Sequence, residues 1–301
     1  MKHRKKIQEP TADKVFNVCN MIFLFLSFVL VAYPLLYIVS ASLSDSSAVI
    51  RGEVWLFPVG FELKAYKAIF TNKMIMTGYL NSILYTVLGT CFNLFLTTLA
   101  AYPLSRKKLY GRPVLTWVFM FTMFFSGGLI PTYMVVSGMH LVNTRTVLVV
   151  MGTVTVYNMI IARTFFQNSL PEELFEAAEL DGCGVGKFFF MIALPCSKAI
   201  IAVIALYVGV SQWNSYFTAM IYVTDQKIYP LQLVLRDILI LGQQLTQITD
   251  PAEIEALVER QKVAQIIKYV VIIVSSLPVI CVYPFLQKFF VKGVMIGSVK
   301  G

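Results

Sequence analysis

Residues 171–195 read PEELFEAAELDGCGVGKFFFMIALP, a charged helix that stops at Asp181-Gly182 and is followed by an apolar stretch closing on Pro195. The chemistry on offer is docking. A charged insert between two long apolar stretches of a membrane chain has to sit in water, where its carboxylates can meet another protein. Ser169 and Glu172 have capping-box spacing, and acidic side chains fill the first turns, where the helix dipole favours them. Gly182 suits the left-handed residue that ends a helix. Leu174, Phe175 and Ala178 leave one apolar face, while Ala177 and Ala178 keep part of the surface low enough for close approach.

Bond-making chemistry does not accompany this segment. The sequence has no GxxxxGK[ST] phosphate loop and no HExxH, and His3 and His140 are too distant in sequence and setting for a metal centre. Cys19, Cys91, Cys183, Cys196 and Cys281 form no CxxC pair, so neither a disulfide framework nor a metal site is expected. Ser126-Gly127-Gly128 reads as small residues for close helix packing rather than as a phosphate cradle. A membrane protein that moves something without a nucleotide site needs an ion gradient or a separate motor, and the docking helix argues for the motor.

The elements that hold this helix are apolar. Of 301 residues 57% are hydrophobic and 14% charged, with a mean hydropathy of +0.73. Spans are expected at 15–41, 78–104, 114–137, 144–167, 198–223 and 264–290, each near the ~20 residues that cross a bilayer. The expectation is an all-α integral membrane protein with six spans, a single transmembrane domain over 1–301 and no separate soluble domain. Lys2, Arg4, Lys5 and Lys6, then Arg106, Lys107, Lys108 and Arg112, then Lys288, Lys292 and Lys300 fall on one side of such a chain, together with the docking segment 171–195. Basic residues in short loops stay cytoplasmic, which places both termini inside and the loops 42–77 and 224–263 outside. The net charge of +9 is therefore a topology signal, and no nucleic-acid partner is expected. The first apolar run is about twice an ordinary signal-peptide core and reads as a retained anchor.

Glu176-Ala177-Ala178, Asp181-Gly182, Phe188 and Pro195 match the EAA signature of the transmembrane subunits of bacterial ATP-binding-cassette importers, a family this chain resembles over nearly its whole length. Tyr102-Pro103-Leu104-Ser105-Arg106, Gly293-Val294-Met295-Ile296-Gly297 and the terminal Gly297-Ser298-Val299-Lys300-Gly301 make it most similar to carbohydrate-uptake permeases of the maltose-permease type. Within these it looks like the subgroup serving lipoprotein-, pectin- and alginate-type oligosaccharide systems. The resemblance implies a type I importer subunit in a bacterial cytoplasmic (inner) membrane, paired with a second permease subunit. It also implies two cytoplasmic ATP-binding subunits that hold ATP and Mg, no cofactor on this chain, and an extracytoplasmic solute-binding protein that delivers a sugar or oligosaccharide. Glu176 would pair with a basic residue of the ATPase, Ala177 and Ala178 would allow close contact, Asp181 and Gly182 would fix the turn, and Pro195 would mark the return to the membrane. The tail residues Gly297, Ser298, Lys300 and Gly301 would reach between the ATPase subunits.

The pathway is less legible. In the fifth span Gln212, Trp213, Asn214, Ser215 and Tyr216, with Tyr207 a few residues earlier, are unusual in an apolar helix. Amides and aromatic faces suit sugar hydroxyls and C–H surfaces. Interfacial aromatic placement and polar helix packing suit them equally, and both readings stand. The rival from another class, an ion-coupled secondary transporter, calls for intramembrane carboxylates, whereas all 16 acidic residues map outside the expected spans. The outer loop 224–263, with Asp237, Asp250, Glu253, Glu255 and Glu259, is expected to turn helical after Asp250-Pro251 and, by the resemblance, to touch the binding protein.

Overall fold

A computed structural model of the chain describes residues 10–152, 154–244 and 266–285. All regular structure among the described residues is helical, and the contacts divide it into two units, Met1–Ile69 with Leu239–Val274 and Phe70–Ile238 with Ser275–Gly301.

The first unit is led by helix Thr11–Ser42, whose 32 residues at ~1.5 Å each are long enough to cross a bilayer with some tilt. Its apolar side chains are exposed along most of its length, as suits a hydrocarbon solvent, and only Ser40, Ala41 and Ser42 are buried. Asp45 then caps helix Ser46–Ile50 by accepting from the Ser47 N–H at 3.1 Å. Ala41, Ala48, Val49 and Val54 make a small core there, and the Tyr37 and Tyr269 rings meet edge to face with centroids 5.8 Å apart.

The second unit is organised on helix Lys73–Ser105, capped by the Asn72 carboxamide. Helices Val156–Ser169 and Lys198–Trp213 pack along it. The sequence explains why: Gly78, Asn81, Ser82, Tyr85, Gly89, Asn93, Thr97 and Ala101 recur at helical spacing and are all buried, giving a seam of small and polar residues. A Cβ on Gly78 would lie 3.2 Å from Leu231 Cα, and one on Gly89 would overlap the Gln212 amide. Glycine at these two positions is what allows the approach.

The expected spans 15–41, 78–104 and 264–290 fall on continuous helices, Thr11–Ser42, Lys73–Ser105 and Ile266–Phe285, the last described only to 285. The other three are interrupted. The stretch 114–137 is two helices, Arg112–Phe124 and Leu129–Gly138, bent by 113°. Ser126-Gly127-Gly128 lies in that break with Gly128 at φ 80°, so these small residues turn the chain instead of packing two helices together. The stretch 144–167 is helices Arg145–Val150 and Val156–Ser169, separated around Gly152 at φ 69°. The stretch 198–223 is helices Lys198–Trp213 and Phe217–Tyr222, interrupted at Asn214. Hydropathy averages over such breaks because the flanking residues remain apolar.

Candidate functional site

The docking segment folds as helix Glu172–Leu180. Its start differs from the capping-box expectation. Ser169 is the last residue of the preceding helix, Pro171 takes the N-cap position, and no side chain caps the first turn. Glu172 is engaged elsewhere: its Oε1 accepts from Nη2 of Arg106 at 3.1 Å. Its end follows the expectation from Gly182. That residue sits at φ 72°, the Gly182 N–H donates to the Glu179 carbonyl at 3.0 Å, and the Cys183 N–H donates to the Ala178 carbonyl at 2.8 Å. These two bonds are the Schellman pair that closes a helix on a left-handed residue.

The two faces of this helix have different environments. Phe175 and Ala178 point inward, into an aromatic cluster with Tyr102, Phe166, Phe188 and Phe189. The Phe175 and Phe188 rings meet edge to face at 5.1 Å, and Tyr102 lies 5.1 Å from Phe189. Outward stand Leu174, Glu176, Ala177, Leu180 and Asp181. Of the alanine pair only Ala177 lies on the exposed surface, since Ala178 is taken up by the chain's own core. The Leu180 side chain, which the sequence reading did not single out, is 89% exposed at the helix tip.

The turn after helix Lys73–Ser105 supplies the counter-charges. The Arg106 guanidinium lies 3.7 Å from the Phe175 ring centroid while it pairs with Glu172, and Lys108 Nζ stands 3.9 Å from Glu176. The Arg106 contact is largely withdrawn from solvent and the Lys108 contact is exposed, so the first holds the helix far more firmly. Beyond Gly182 the chain runs through Val185–Cys196, which contains a π-turn at Phe189–Ala193, and bends by 79° into Lys198–Trp213. Pro195 is exposed just before that bend, and Ser197 is fully buried within it.

The residues read as a sugar path are not brought together. The Trp213 ring is buried, its Nε1–H donates to the Ser275 carbonyl at 2.8 Å, and it meets Tyr79 edge to face at 5.5 Å. The Gln212 amide lies against Gly89. Asn214 donates back to the Val210 carbonyl at 2.8 Å across the helix end. Trp213 thus takes part in helix packing and the Gln212 Nε2 is buried without a hydrogen-bond partner, while Tyr207 and Tyr216 are exposed, with the Arg236 guanidinium 6.0 Å from the Tyr216 ring centroid. A mostly apolar cavity of about 110 Å³ lies beside Trp213, lined by Thr86, Gly209, Val210, Pro278 and Val282 among others.

At the opposite end of helix Lys73–Ser105, three residues unremarked in the sequence pin the segment after 223. Asn81 Nδ2 donates to the Lys227 and Tyr229 carbonyls at 2.9 and 3.0 Å, the Tyr85 hydroxyl donates to the Ile228 carbonyl, and Ser82 Oγ accepts from the Leu231 N–H. Asn143 Oδ1 accepts from the Thr224 and Asp225 N–H groups. The region expected as a loop from 224 is therefore ordered early, and helix Leu231–Gln244 buries Leu231, Leu233, Val234 and Leu235. The expected helix after Asp250-Pro251 and the tail residues 297–301 lie outside the described residues.

No protein-family model matches the chain. Protein LplC of Bacillus subtilis (strain 168) is 41% identical over 290 residues, covering 96% of each chain. The polygalacturonan/rhamnogalacturonan transport system permease protein YtcP of the same organism is 38% identical, covering 96% of this chain and 99% of the relative. Among solved structures, a chain from a bacterial ABC transporter involved in the import of the acidic polysaccharide alginate superposes with a TM-score of 0.85 at 29% identity, over 95% of this chain and 100% of that one. Related to these proteins over nearly their whole length, this chain belongs to the permease subunits of the ATP-binding-cassette importers of sugars and oligosaccharides.

Proposed function

We propose that this permease chain forms one half of a type I importer pathway, paired with a second permease subunit and driven by two cytoplasmic ATPases that bind ATP and Mg. The observation that carries the reading is the two-faced helix Glu172–Leu180: its inner face is fixed by Phe175 and Ala178, and its outer face presents Glu176, Ala177 and Leu180. A helix held this rigidly can transmit a displacement imposed on its exposed side. ATP hydrolysis takes place on the partner, and this chain supplies the docking surface and the membrane path.

In this reading the chain crosses the bacterial inner membrane six times. The bent pair Arg112–Phe124 with Leu129–Gly138 counts as one span, Lys198–Trp213 with Phe217–Tyr222 as another, and Arg145–Val150 with Val156–Ser169 supplies the remaining one. Both termini, the Arg106 turn and segment 171–195 face the cytoplasm, following the placement of Lys and Arg. The segment 224–263 faces outward to a solute-binding protein, and the tail 297–301 reaches the ATPase pair.

The substrate class best supported is an acidic oligosaccharide. Polygalacturonan and alginate, in the descriptions of two relatives, are both acidic polysaccharides. The exposed Tyr216 offers an aromatic face to such a sugar, with Arg236, itself 3.4 Å from Asp237 Oδ1, nearby. Uptake of labelled oligogalacturonate, oligoalginate and a neutral oligosaccharide of equal length, in cells lacking and regaining this chain, tests the proposal. Restoration of acidic-oligosaccharide uptake supports it, and restoration of the neutral sugar alone contradicts the substrate class.

A further inference from the structure

We infer that Arg106 is the positioning residue that locks the docking helix to helix Lys73–Ser105, so that a displacement of the docking helix is delivered to that long helix. The inference rests on the docking reading of helix Glu172–Leu180 and adds the element that receives the motion. Arg106 follows directly on the last residue of helix Lys73–Ser105, and its N–H closes the helix by donating to the Pro103 carbonyl at 3.0 Å. From there its guanidinium makes two contacts that differ in chemistry. Nη2 donates to Glu172 in the first turn of the docking helix at 3.1 Å, and the cationic plane lies 3.7 Å from the centroid of Phe175, one turn further on. Two contacts on successive turns of one face restrain rotation as well as separation.

Burial makes the clamp firm. The Arg106 side chain retains 14% of its exposure, against 66% for Lys108, whose 3.9 Å pairing with Glu176 is screened by solvent. The helix end is also fixed from the other side, where Arg163 Nε donates to the Leu104 carbonyl at 3.1 Å. Tyr102, one turn before Arg106, stacks within the same aromatic cluster as Phe175. The end of helix Lys73–Ser105 and the docking helix therefore behave as one body. Lysine cannot replace arginine here, because it lacks the planar group that faces a ring and a carboxylate together.

The test uses the complete importer in inside-out and right-side-out vesicles, with Arg106→Glu, Arg106→Lys, Glu172→Arg and the exchange pair Arg106→Glu/Glu172→Arg. The readouts are retention of the ATPase subunits, basal and binding-protein-stimulated ATP hydrolysis, and sugar uptake. Arg106→Glu is expected to keep the ATPase subunits yet lose about tenfold in uptake and in stimulation, within the usual range of a coupling free energy. Arg106→Lys should lie between it and the native chain, and the exchange pair should recover at least half of the loss on a logarithmic scale. Uptake within about twofold of native for Arg106→Glu, or an exchange pair no better than the worse single variant, would overturn the clamp. The docking reading fails by a separate sign: if Leu180→Asp at the exposed tip leaves ATPase binding at its native strength, the helix is not the contact and the clamp falls with it.

Discussion

The Arg106 guanidinium and the Phe175 ring stand 3.7 Å apart, joining the turn after one membrane helix to the buried face of the docking helix. This contact orients the rest of that helix. With Phe175 and Ala178 held inward, Ala177 and Leu180 face away from the chain, and Glu176 stands on the same exposed side within 3.9 Å of Lys108 Nζ.

The exposed tip should carry affinity. Burying a leucine side chain is worth about 1.5–3 kcal/mol, so Leu180→Asp should weaken ATPase-subunit binding by roughly tenfold or more. Glu176→Lys reverses a charge on the same face and should reduce uptake while the chain stays inserted. Co-purification and vesicle uptake read the two effects; native values for both variants would remove this face from the contact.

Gly182 should be sensitive to backbone conformation alone. A Cβ there meets nothing within 4 Å, yet the residue sits at φ 72°. Gly182→Val should therefore cost about 1–2 kcal/mol and lower uptake, while Gly182→Asn, which tolerates the left-handed region, should lie near the native chain. Equal behaviour of the two in uptake and in thermal melting would show that the Schellman turn is not what the site needs.

Two glycines on helix Lys73–Ser105 should respond differently to alanine. At Gly78 the added Cβ comes 3.2 Å from the Leu231 backbone, which cannot turn away, whereas at Gly89 it meets the end of the flexible Gln212 side chain. Gly78→Ala should lower the melting temperature in detergent more than Gly89→Ala. Trp213→Phe removes the buried bond to the Ser275 carbonyl and should cost about 1 kcal/mol. The reverse order for the glycines would contradict the packing described for helix Leu231–Gln244.

Much of this arrangement is written locally. The helix stop at Gly182 and the long uninterrupted runs at 15–41 and 78–104 follow from residue type and spacing and fall where expected, whereas of the apolar face Leu174, Phe175 and Ala178 only the last two are buried. The breaks at 125–128, 151–155 and 214–216 were hidden because apolar neighbours on both sides keep the hydropathy high. Glu172 shows a second kind of limit. Its spacing from Ser169 fits a capping box, but the chain continues the previous helix through Ser169, and a distant arginine claims the carboxylate. Arg106 reads as a basic residue at a span end and as the close of the Tyr102–Arg106 motif, but its ring and carboxylate partners lie 66 and more positions away in sequence. Trp213 and Gln212 suit a sugar path or helix packing equally in one dimension, and their neighbours, the Ser275 carbonyl and Gly89, lie too far away in sequence to be read from it.

The segment from 224, proposed to face the binding protein, offers a partner test. Leu239 and Ile240 are exposed on the far turns of helix Leu231–Gln244, beyond the buried Leu231, Leu233, Val234 and Leu235. Leu239→Cys and Ile240→Cys should cross-link to the binding protein during turnover, and Leu233→Cys should not. A binding protein captured equally from all three positions, or from none, would argue against this face.

Deleting residues 297–301 should lower transport-coupled ATP hydrolysis without reducing insertion, because the tail is proposed to enter the ATPase pair. Unchanged hydrolysis and uptake in a correctly assembled complex would reduce the segment to an ordinary chain end.

The central claim, that this chain couples an external ATPase to sugar passage, is tested most directly by reconstituting the two permeases with the ATPase subunits in vesicles and adding sugar-loaded binding protein. ATP hydrolysis and uptake should rise together, and the stimulated rates should fall about tenfold when Arg106→Glu or Leu180→Asp is introduced. Sugar uptake that proceeds without ATPase subunits under an ion gradient would contradict it.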